Sequence, residues 1–329
     1  MDPHGSTRDQ YLAFARECVD SPSLVAWSTA IADDTDVLAW IDTLPGLKRQ
    51  PNLVFAAARW HGVPAPGPYE ALRAALLDDD GTLRSTILGR STQTNEARRS
   101  AVLLPAFAQL ADAAGAPVAL VEVGASAGLC LYPDRWSYRW TTPAGDVTLA
   151  GPSAHELSCT VSGPAPLPDR PLEVAWRGGI DLHPLDVTDP DAMAWLETLI
   201  WPEHDDRRAT LRAAVEIARA EPPRIVAGDL LTSTEALIAE AGRHGPVIVF
   251  HTAVIAYLAD DDRERFHTLM TRLVAEGACH WVSNEGARVL PRVAAAGRLD
   301  PATSQPFVVG IDGVARAHAH GHGRELTWL

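Results

Sequence analysis

Residues 118–129 read VALVEVGASAGL, a short apolar run that leads into a turn of small residues. Such a run is typical of a strand buried on both faces of a parallel sheet. The small residues allow a ligand to approach the backbone closely, and a helix predicted to begin after the turn offers it free N–H groups. The stretch therefore predicts the first strand of an α/β sheet, followed by a ligand-binding turn.

Four more runs of this type follow along the chain, namely EVAWRGGI, RIVAGDL, VIVFHTAV and HWVSNEG. Helices are predicted between most of them, at residues 190–219, 234–243 and 262–276. Strands that alternate with helices indicate a parallel sheet covered on both faces. Two last strands, PFVVGIDG and VARAHAHG, are joined through Asp312 and Gly313, a pair that predicts a C-terminal β-hairpin.

The residues before the first strand carry a different pattern. Apolar residues there recur at spacings of three and four, which predicts helices, and strand-like alternation is absent. We therefore expect a helical N-terminal region over residues 1–113 and an α/β domain over residues 114–329. Pro, Gly and Ser are frequent between about 132 and 172, so this segment is predicted to be an irregular insertion with a small hairpin near residues 143–146.

The composition limits the class of partner. Lys and Arg number 28 against 42 Asp and Glu, so the formal net charge is −14, and no basic stripe offsets it. Such a surface repels phosphate backbones, and we expect no nucleic-acid partner. The four cysteines are scattered, the first residues are polar, and no apolar run reaches the roughly 18 residues of a membrane helix. A cytoplasmic protein without a membrane partner is expected.

The turn after the first strand allows several kinds of site. Glu122, Gly124, Ser126 and Gly128 match acidic-x-Gly-x-(Gly/Ser)-x-Gly, the loop that S-adenosylmethionine-dependent methyltransferases wrap around the methionine part of their cofactor. A dinucleotide fingerprint needs glycine where Ser126 and Leu129 stand, so it largely fails. The turn also satisfies G-x-S-x-G, the nucleophile elbow of α/β-hydrolases, although the preceding residues look helical. A purely structural tight turn is the remaining interpretation.

The predicted strands end in polar residues that could serve such a cofactor, because ligands of open α/β sheets bind at the carboxyl ends of strands. We expect Asp181 to accept from ribose hydroxyls and Asp229 to bind an adenine amino group, although acidic residues there also cap helices. His251 and His183 lie at strand ends as well, and histidine can deprotonate a methyl acceptor near neutral pH. A structural role is the alternative for both histidines.

Three histidines, His318, His320 and His322, alternate near the end of the chain. On a strand, their rings project from one face, and the outer two are about 13 Å apart at about 3.3 Å per residue. One metal ion can therefore bind an adjacent pair of these rings but not all three. We favour a solvated strand face and predict no metal site.

Long strings of the sequence resemble one bacterial family. They include LRSTILGRSTQTNEARRSAVLLPA, LVEVGASAGLCLYPDRWSYRW, WRGGIDLHPLDVTDP, VIVFHTAVIAYL and ARAHAHGHGRELTWL. In these strings, and from about residue 8 onward, the chain is similar to the domain-of-unknown-function family 2332, a resemblance that implies a methyltransferase-like fold. The chain departs from the pattern at Cys130, where asparagine is expected.

The resemblance also draws attention to residues 93–96, just before the predicted sheet. Asn95 and Glu96 are polar residues next to an amphipathic helix and could close over a cofactor cleft. The alternative is a helix cap, in which Thr94 or Asn95 caps a helix over residues 98–110 and Glu96 lies at its positive end. The sequence leaves both interpretations open.

These patterns together predict an α/β fold: a Rossmann-like S-adenosylmethionine-methyltransferase-type sheet with helices on both faces and a C-terminal β-hairpin, preceded by the helical region. The expected function is S-adenosylmethionine-dependent methyl transfer to a small-molecule substrate. The cofactor is expected to contact Glu122, the turn at residues 124–128, Asp181 and Asp229, with His251 as acceptor base. The alternatives are a cofactor- or nucleotide-binding protein without catalysis and a serine hydrolase that uses Ser126.

Overall fold

A computed structural model describes residues 6–93, 95–299 and 307–329 of the chain. The chain divides into two compact units. The helical unit comprises the residues up to 94 together with residues 190–209, and the sheet unit comprises residues 95–189 and 210–329. This division differs from the expected boundary after residue 113.

The described residues form twelve α-helices, none of which is long and apolar enough to span a membrane. Their bounds are α1 Thr7–Glu17, α2 Pro22–Asp33, α3 Thr35–Asp42, α4 Pro51–Trp60, α5 Tyr69–Leu77, α6 Thr82–Gly89, α7 Ser100–Ala114, α8 Pro190–Leu199, α9 Asp205–Ala220, α10 Leu230–Ala241, α11 Asp260–Ala275 and α12 Pro291–Ala296. Short 3₁₀ helices lie at Gly46–Arg49, Ala97–Arg99 and Ile255–Tyr257.

The strands of the described residues all belong to one sheet of the sheet unit. Their bounds are β1 Val118–Val123, β2 Ser137–Thr142, β3 Gly145–Leu149, β4 Glu156–Ser162, β5 Val174–Asp181, β6 Arg224–Ala227, β7 Val247–Thr252, β8 His280–Gly286, β9 Phe307–Ile311, β10 Val314–Ala319 and β11 Glu325–Trp328. Their order across the sheet is β3-β2-β4-β11-β10-β9-β8-β7-β1-β5-β6.

Tertiary packing explains why the unit boundary differs from the expected one. Helix α7 is buried along most of its length and belongs to the sheet unit, where the Phe107 ring lies 5.1 Å from the Phe250 ring of β7. The predicted helix at residues 190–219 is two helices, and the first of them, α8, joins the helical unit. Arg59 of α4 donates there to the carbonyl oxygens of Thr198 and Ile200 at 2.8 and 2.7 Å.

The centre of the sheet confirms the predicted parallel strands. β6, β5, β1, β7 and β8 are neighbours in this order and run parallel. β9 and β10 then pair antiparallel, which confirms the C-terminal hairpin. Asp312 and Gly313 have φ angles of 50° and 82°, the two positive values that a type I′ turn requires.

Residues 132–172 contain more regular secondary structure than the sequence predicted. They contain the hairpin β2–β3, in which Thr142 pairs with Gly145, and the strand β4, which lies between β2 and β11. The predicted hairpin is confirmed, and the prediction of an otherwise irregular insertion is wrong. Leu157, Cys159 and Val161 of β4 are buried in alternation, a period-two signal of a strand that the prediction missed.

Both faces of the parallel strands are covered. Helices α10, α11 and α12 bury one face, in a core that includes Val121, Val249, Phe266 and Trp281. Successive side chains of a strand point to opposite faces, so Phe250 contacts α7 on the other side. Because β1, β5 and β7 run parallel, their carboxyl ends lie at one edge of the sheet.

Candidate functional site

The strand order locates the candidate site at the carboxyl ends of β1, β5 and β7. From β1 the chain proceeds to β5 and β6 on one side, and β7 and β8 lie on the other side. The order of strands reverses between β1 and β7. In open α/β sheets this reversal leaves a crevice outside the carboxyl ends of the strands, where ligands bind.

Residues 124–131 follow β1 and are called the glycine turn here. The N–H groups of Gly124 and Ala125 both donate to the carbonyl oxygen of Ile180, at 2.7 and 3.0 Å. The Ser126 N–H donates to a carboxylate oxygen of Asp181 at 2.8 Å. The protein itself thus accepts the hydrogen bonds of these N–H groups, so they do not form an anion-binding cradle.

The prediction of a helix after the turn is wrong. Residues 124–135 form turns and bends, and the next regular element is β2. Gly128 has a φ of 72°, outside the helical region, and a Cβ there would lie 2.8 Å from Pro223 and 3.0 Å from Ile225. Gly124, at the same φ, packs against the side chain of Val254, which a Cβ would overlap. Both glycines are therefore required by packing within the protein.

Asn95 connects the glycine turn to the segment before α7. Its side-chain Nδ2 donates to the Ala125 carbonyl oxygen at 2.7 Å, and the Leu129 N–H donates to its Oδ1 at 2.8 Å. Asn95 therefore holds the turn rather than capping a helix, since α7 begins only at Ser100 after a 3₁₀ turn. Thr94, the other predicted cap, lies outside the described residues.

Replacing Asn95 with alanine is expected to destabilise the sheet unit by about 1–3 kcal/mol, because it leaves a buried donor and acceptor without partners. Amide hydrogen exchange at Leu129 should become faster at the same time. Gln109, exposed on α7, provides the matched control, and Gln109→Ala should stay within about 0.5 kcal/mol of the parent. Equal unfolding free energies for the two variants would show that the hydrogen bonds of Asn95 do not stabilise the turn.

A group of buried polar side chains lies within and next to the glycine turn. Glu122 of β1 is 3% exposed, Cys130 is 2% exposed, and Glu96 and Arg99 are buried as well. Burial, and after it the charge of Asp181, raises the pKa of Glu122 well above its usual range. Burial and the neighbouring Glu122 raise the pKa of Cys130 too, so this thiol stays protonated and is not a nucleophile.

Arg99 was not among the predicted site residues, although it links three segments of the edge. Its Nη1 donates to the Thr252 carbonyl oxygen at the end of β7 at 3.1 Å, and its Nε donates to the Gly321 carbonyl oxygen at 2.7 Å. Glu96, three residues earlier, lies 3.7 Å from the Nδ1 of His322. The two acceptors of Arg99 are 153 and 222 residues away in sequence, so no local pattern indicates them.

His251, the predicted acceptor base, is fully buried within β7. Its Nε2 accepts from the Trp281 indole N–H at 3.0 Å, so its Nδ1 carries the hydrogen and donates to Glu285 at 2.8 Å. The same Glu285 oxygen accepts the N–H groups of Val254 and Ile255. With both ring nitrogens engaged, His251 orients the residues after β7 and presents no nitrogen to a ligand.

The remaining predicted residues are closer to the surface. Asp181 accepts from the N–H groups of Ser126 and His183, and the His183 side chain is exposed. Asp229 caps α10, since it accepts the Leu231 N–H at 2.7 Å. The structure therefore brings Asp181 against the glycine turn and agrees with the capping interpretation of Asp229.

The three histidines near the chain end do not share a strand face as predicted. β10 ends at Ala319, and His320 and His322 lie in the following turn, where the His322 N–H donates to His320 Nδ1 at 3.0 Å. Gly323 ends this turn with a φ of 73° in close approach to the Arg98 backbone. Within the described parts of the chain, no three His, Cys, Asp or Glu side chains are grouped as metal ligands.

Comparison with known proteins gives one family. The model of DUF2332, described as an uncharacterized protein conserved in bacteria, matches residues 8–328. No curated protein matches the chain. The family match covers nearly all of the chain, including the glycine turn, Asn95 and the histidines near the chain end, and it confirms the resemblance seen in the sequence strings. The chain belongs to the DUF2332 family.

Proposed function

We propose that the sheet unit is a Rossmann-like methyltransferase domain, which binds S-adenosylmethionine at the carboxyl ends of β1, β5 and β7 and transfers a methyl group to a small molecule. The observation that carries the proposal is the strand order. Counted along the chain, the five parallel strands have the spatial order 3-2-1-4-5, with the glycine turn after the first and Asp181 at the end of the second. Doubly wound nucleotide-binding sheets have this order.

The chemistry of the edge supports an adenosyl cofactor over a dinucleotide. Because the N–H groups of Gly124, Ala125 and Ser126 already donate within the protein, they offer nothing to a pyrophosphate. Carboxyl groups are present instead, at Glu122 and Asp181. S-adenosylmethionine carries a sulfonium and an ammonium group, and both cations are favoured beside carboxyl groups.

The residues present fit the separate parts of this cofactor. Glu122 Oε2 is buried without a hydrogen-bond partner in the described part of the chain, and it would accept from the amino group. Each Asp181 oxygen accepts one N–H here, which leaves lone pairs for ribose hydroxyls. The exposed Asp229 would bind the adenine amino group while it caps α10.

The cofactor supplies an electrophilic methyl group when bound, and the chain positions the acceptor and excludes water. His183 is the better candidate for the proton acceptor, because it is exposed next to Asp181. His251 cannot take this role while Trp281 and Glu285 engage its ring. This engagement favours, as a second candidate function, cofactor binding without catalysis.

The serine-hydrolase alternative has one supporting feature. Ser126 has a φ of 52°, a strained value of the kind found at a nucleophile elbow. An elbow, however, leads from a strand directly into a helix, and the glycine turn is followed by turns and β2. Labelling of Ser126 by a fluorophosphonate probe would favour the hydrolase over the methyltransferase.

Calorimetric titration with S-adenosylhomocysteine tests the proposed site. We expect a dissociation constant in the micromolar range for the parent chain. Asp229→Asn should weaken binding by tenfold or more, since a hydrogen bond to a charged group contributes about 1.5–3 kcal/mol. The Asn side chain still caps α10, so the change isolates the ligand contact.

Asp169 is the matched control, because it is exposed and lies with Pro117 and Glu173 in a cavity at the opposite, amino end of β1. Asp169→Asn should bind S-adenosylhomocysteine as the parent does. Absence of binding to a folded parent chain would exclude the cofactor. Binding without methyl transfer to any offered acceptor would favour the second candidate function.

A further inference from the structure

Glu122 near the end of β1 and Cys130 of the glycine turn form a buried pair. They are 3% and 2% exposed, and the thiol lies within hydrogen-bonding reach of the carboxyl group. Glu122 Oε2 has no hydrogen-bond partner in the described residues. A buried carboxyl oxygen without a partner is costly, and such an atom near the carboxyl end of β1, where ligands of open α/β sheets bind, points to a group that the ligand supplies.

The hydrogen-bond pattern of Glu122 and Cys130 is compatible with a protonated, neutral Glu122. A thiol has one hydrogen, and Cys130 directs it to the Glu96 carbonyl oxygen at an Sγ–O distance of 3.5 Å. A protonated Glu122 can then donate its own hydrogen to the sulfur, whereas a carboxylate would compete with Glu96 for the thiol hydrogen. The geometry therefore accommodates the acid form of Glu122 without loss of either contact.

The charges around Glu122 favour the acid form as well. Asp181 at the end of β5 faces it with a negative charge, and Arg99 before α7 faces it with a positive one. Arg99 donates to the carbonyl oxygens of Thr252 and Gly321, and its charge lowers the pKa of Glu122 less than burial and Asp181 raise it. The residues paired with Glu122 on the two neighbouring strands, Phe250 of β7 and Gly179 of β5, are uncharged.

Burial and Asp181 outweigh the opposing effects of Cys130 and Arg99, and the pKa of Glu122 is raised well above its usual range. Glu122 thus holds a proton at this edge that a ligand can displace. A positive charge brought next to it stabilises the carboxylate over the acid.

We propose that a cationic ligand that binds at the carboxyl end of β1 displaces one proton from Glu122, so that ligand uptake and proton release are coupled. This inference rests on the proposed function and adds that the ligand carries a positive charge to within reach of Glu122. The O–H bond of the carboxylic acid breaks, the proton passes to the buffer, and the electron pair remains on the carboxylate that faces the cation. No oxidation or reduction takes place.

The coupling fixes the sign of the pH dependence. Below the raised pKa of Glu122, the free protein carries a proton that the complex has lost, so affinity rises about tenfold for each unit of pH. Above that pKa, the free protein has already lost the proton, and the affinity no longer changes. The range from about pH 5.5 to 7 is suited to the test, because the α-amino group of the ligand stays protonated there.

The test is calorimetric titration of the full chain with S-adenosylhomocysteine in phosphate and in Bis-Tris buffer, whose ionisation enthalpies differ. We expect close to one proton released per ligand bound, and a dissociation constant that falls about tenfold per pH unit. Glu122→Gln, which has the same shape but no titrating group, should release no proton. The dissociation constant of this variant should change by no more than about twofold between pH 5.5 and 7.

Glu173→Gln is the matched control, because Glu173 lies at the amino end of the sheet, next to β5, and should leave the proton release unchanged. Binding without proton release would overturn the inference and leave the proposed function intact. Absence of binding to the folded chain would overturn both.

A second measurement needs no ligand. The infrared difference between the parent chain and Glu122→Gln at pH 7 should contain the carbonyl stretch of a protonated carboxylic acid. A carboxylate signal in its place would overturn the inference independently of any cofactor.

Discussion

Glu285→Ala is expected to lower the free energy of unfolding by about 3–5 kcal/mol, because it removes the acceptor of three hydrogen bonds at the end of β7. One Glu285 oxygen accepts from the ring of His251 and from the N–H groups of Val254 and Ile255, at 2.8, 2.9 and 3.1 Å. Alanine leaves all three buried donors without an acceptor, at about 1–3 kcal/mol for each unsatisfied group. Urea unfolding followed by circular dichroism measures the loss.

Two variants separate this effect from a general loss of a carboxylate. Glu285→Gln keeps an acceptor oxygen at the same position and should cost clearly less than alanine. Glu276→Ala, at the exposed end of α11, should change stability by no more than about 0.5 kcal/mol. If Glu285→Ala were as mild as Glu276→Ala, the three hydrogen bonds would not stabilise the loop after β7. Faster amide exchange at Val254 and Ile255 should accompany the destabilisation.

Gly124→Ala should destabilise the protein by about 2–5 kcal/mol, from two separate causes. The φ of 72° at this position costs an L-residue about 1–2 kcal/mol. The new Cβ also overlaps the side chain of Val254, and overpacking of this kind costs about 1–3 kcal/mol. Chemical unfolding of the variant measures the sum of the two terms.

The chain contains a matched control that isolates the backbone term. Gly277 has a φ of 69°, and a Cβ there meets nothing within 4 Å. Gly277→Ala should therefore cost about 1–2 kcal/mol from backbone strain alone. The double variant Gly124→Ala/Val254→Ala should recover part of the overpacking cost. Equal losses for the Gly124 and Gly277 variants would mean that Val254 moves aside freely.

Glu285 and Gly124 are connected through the segment that follows β7. Glu285 holds the backbone of Val254 and Ile255, and the Val254 side chain packs on Gly124 of the glycine turn. Ala253, between β7 and this contact, has a φ of 57°, a strained value for a residue with a side chain. The segment after β7 thus braces the glycine turn from one side, while Asn95 holds it from the other.

Local sequence determined the parallel strands and the hairpin at the C-terminus. Strands buried on both faces need continuous apolar runs, so β1, β5 and β7 were recognisable without knowledge of their partners. Asp312 and Gly313 specify a hairpin because they readily adopt the positive φ angles of its turn. The position of the glycine turn, after β1 and beside Asp181, followed from the same local patterns.

Tertiary structure decided what the polar residues of the edge do. Asn95 bonds to residues 30 and 34 positions away, and Glu285 bonds to His251 at a separation of 34, so neither partner could be recognised from neighbouring residues. The helix expected after the turn is absent because packing around Gly128 imposes a positive φ. Backbone preferences and apolar periodicity act between near neighbours, whereas the partner of a buried polar group is whichever atom the folded chain brings within about 3 Å of it.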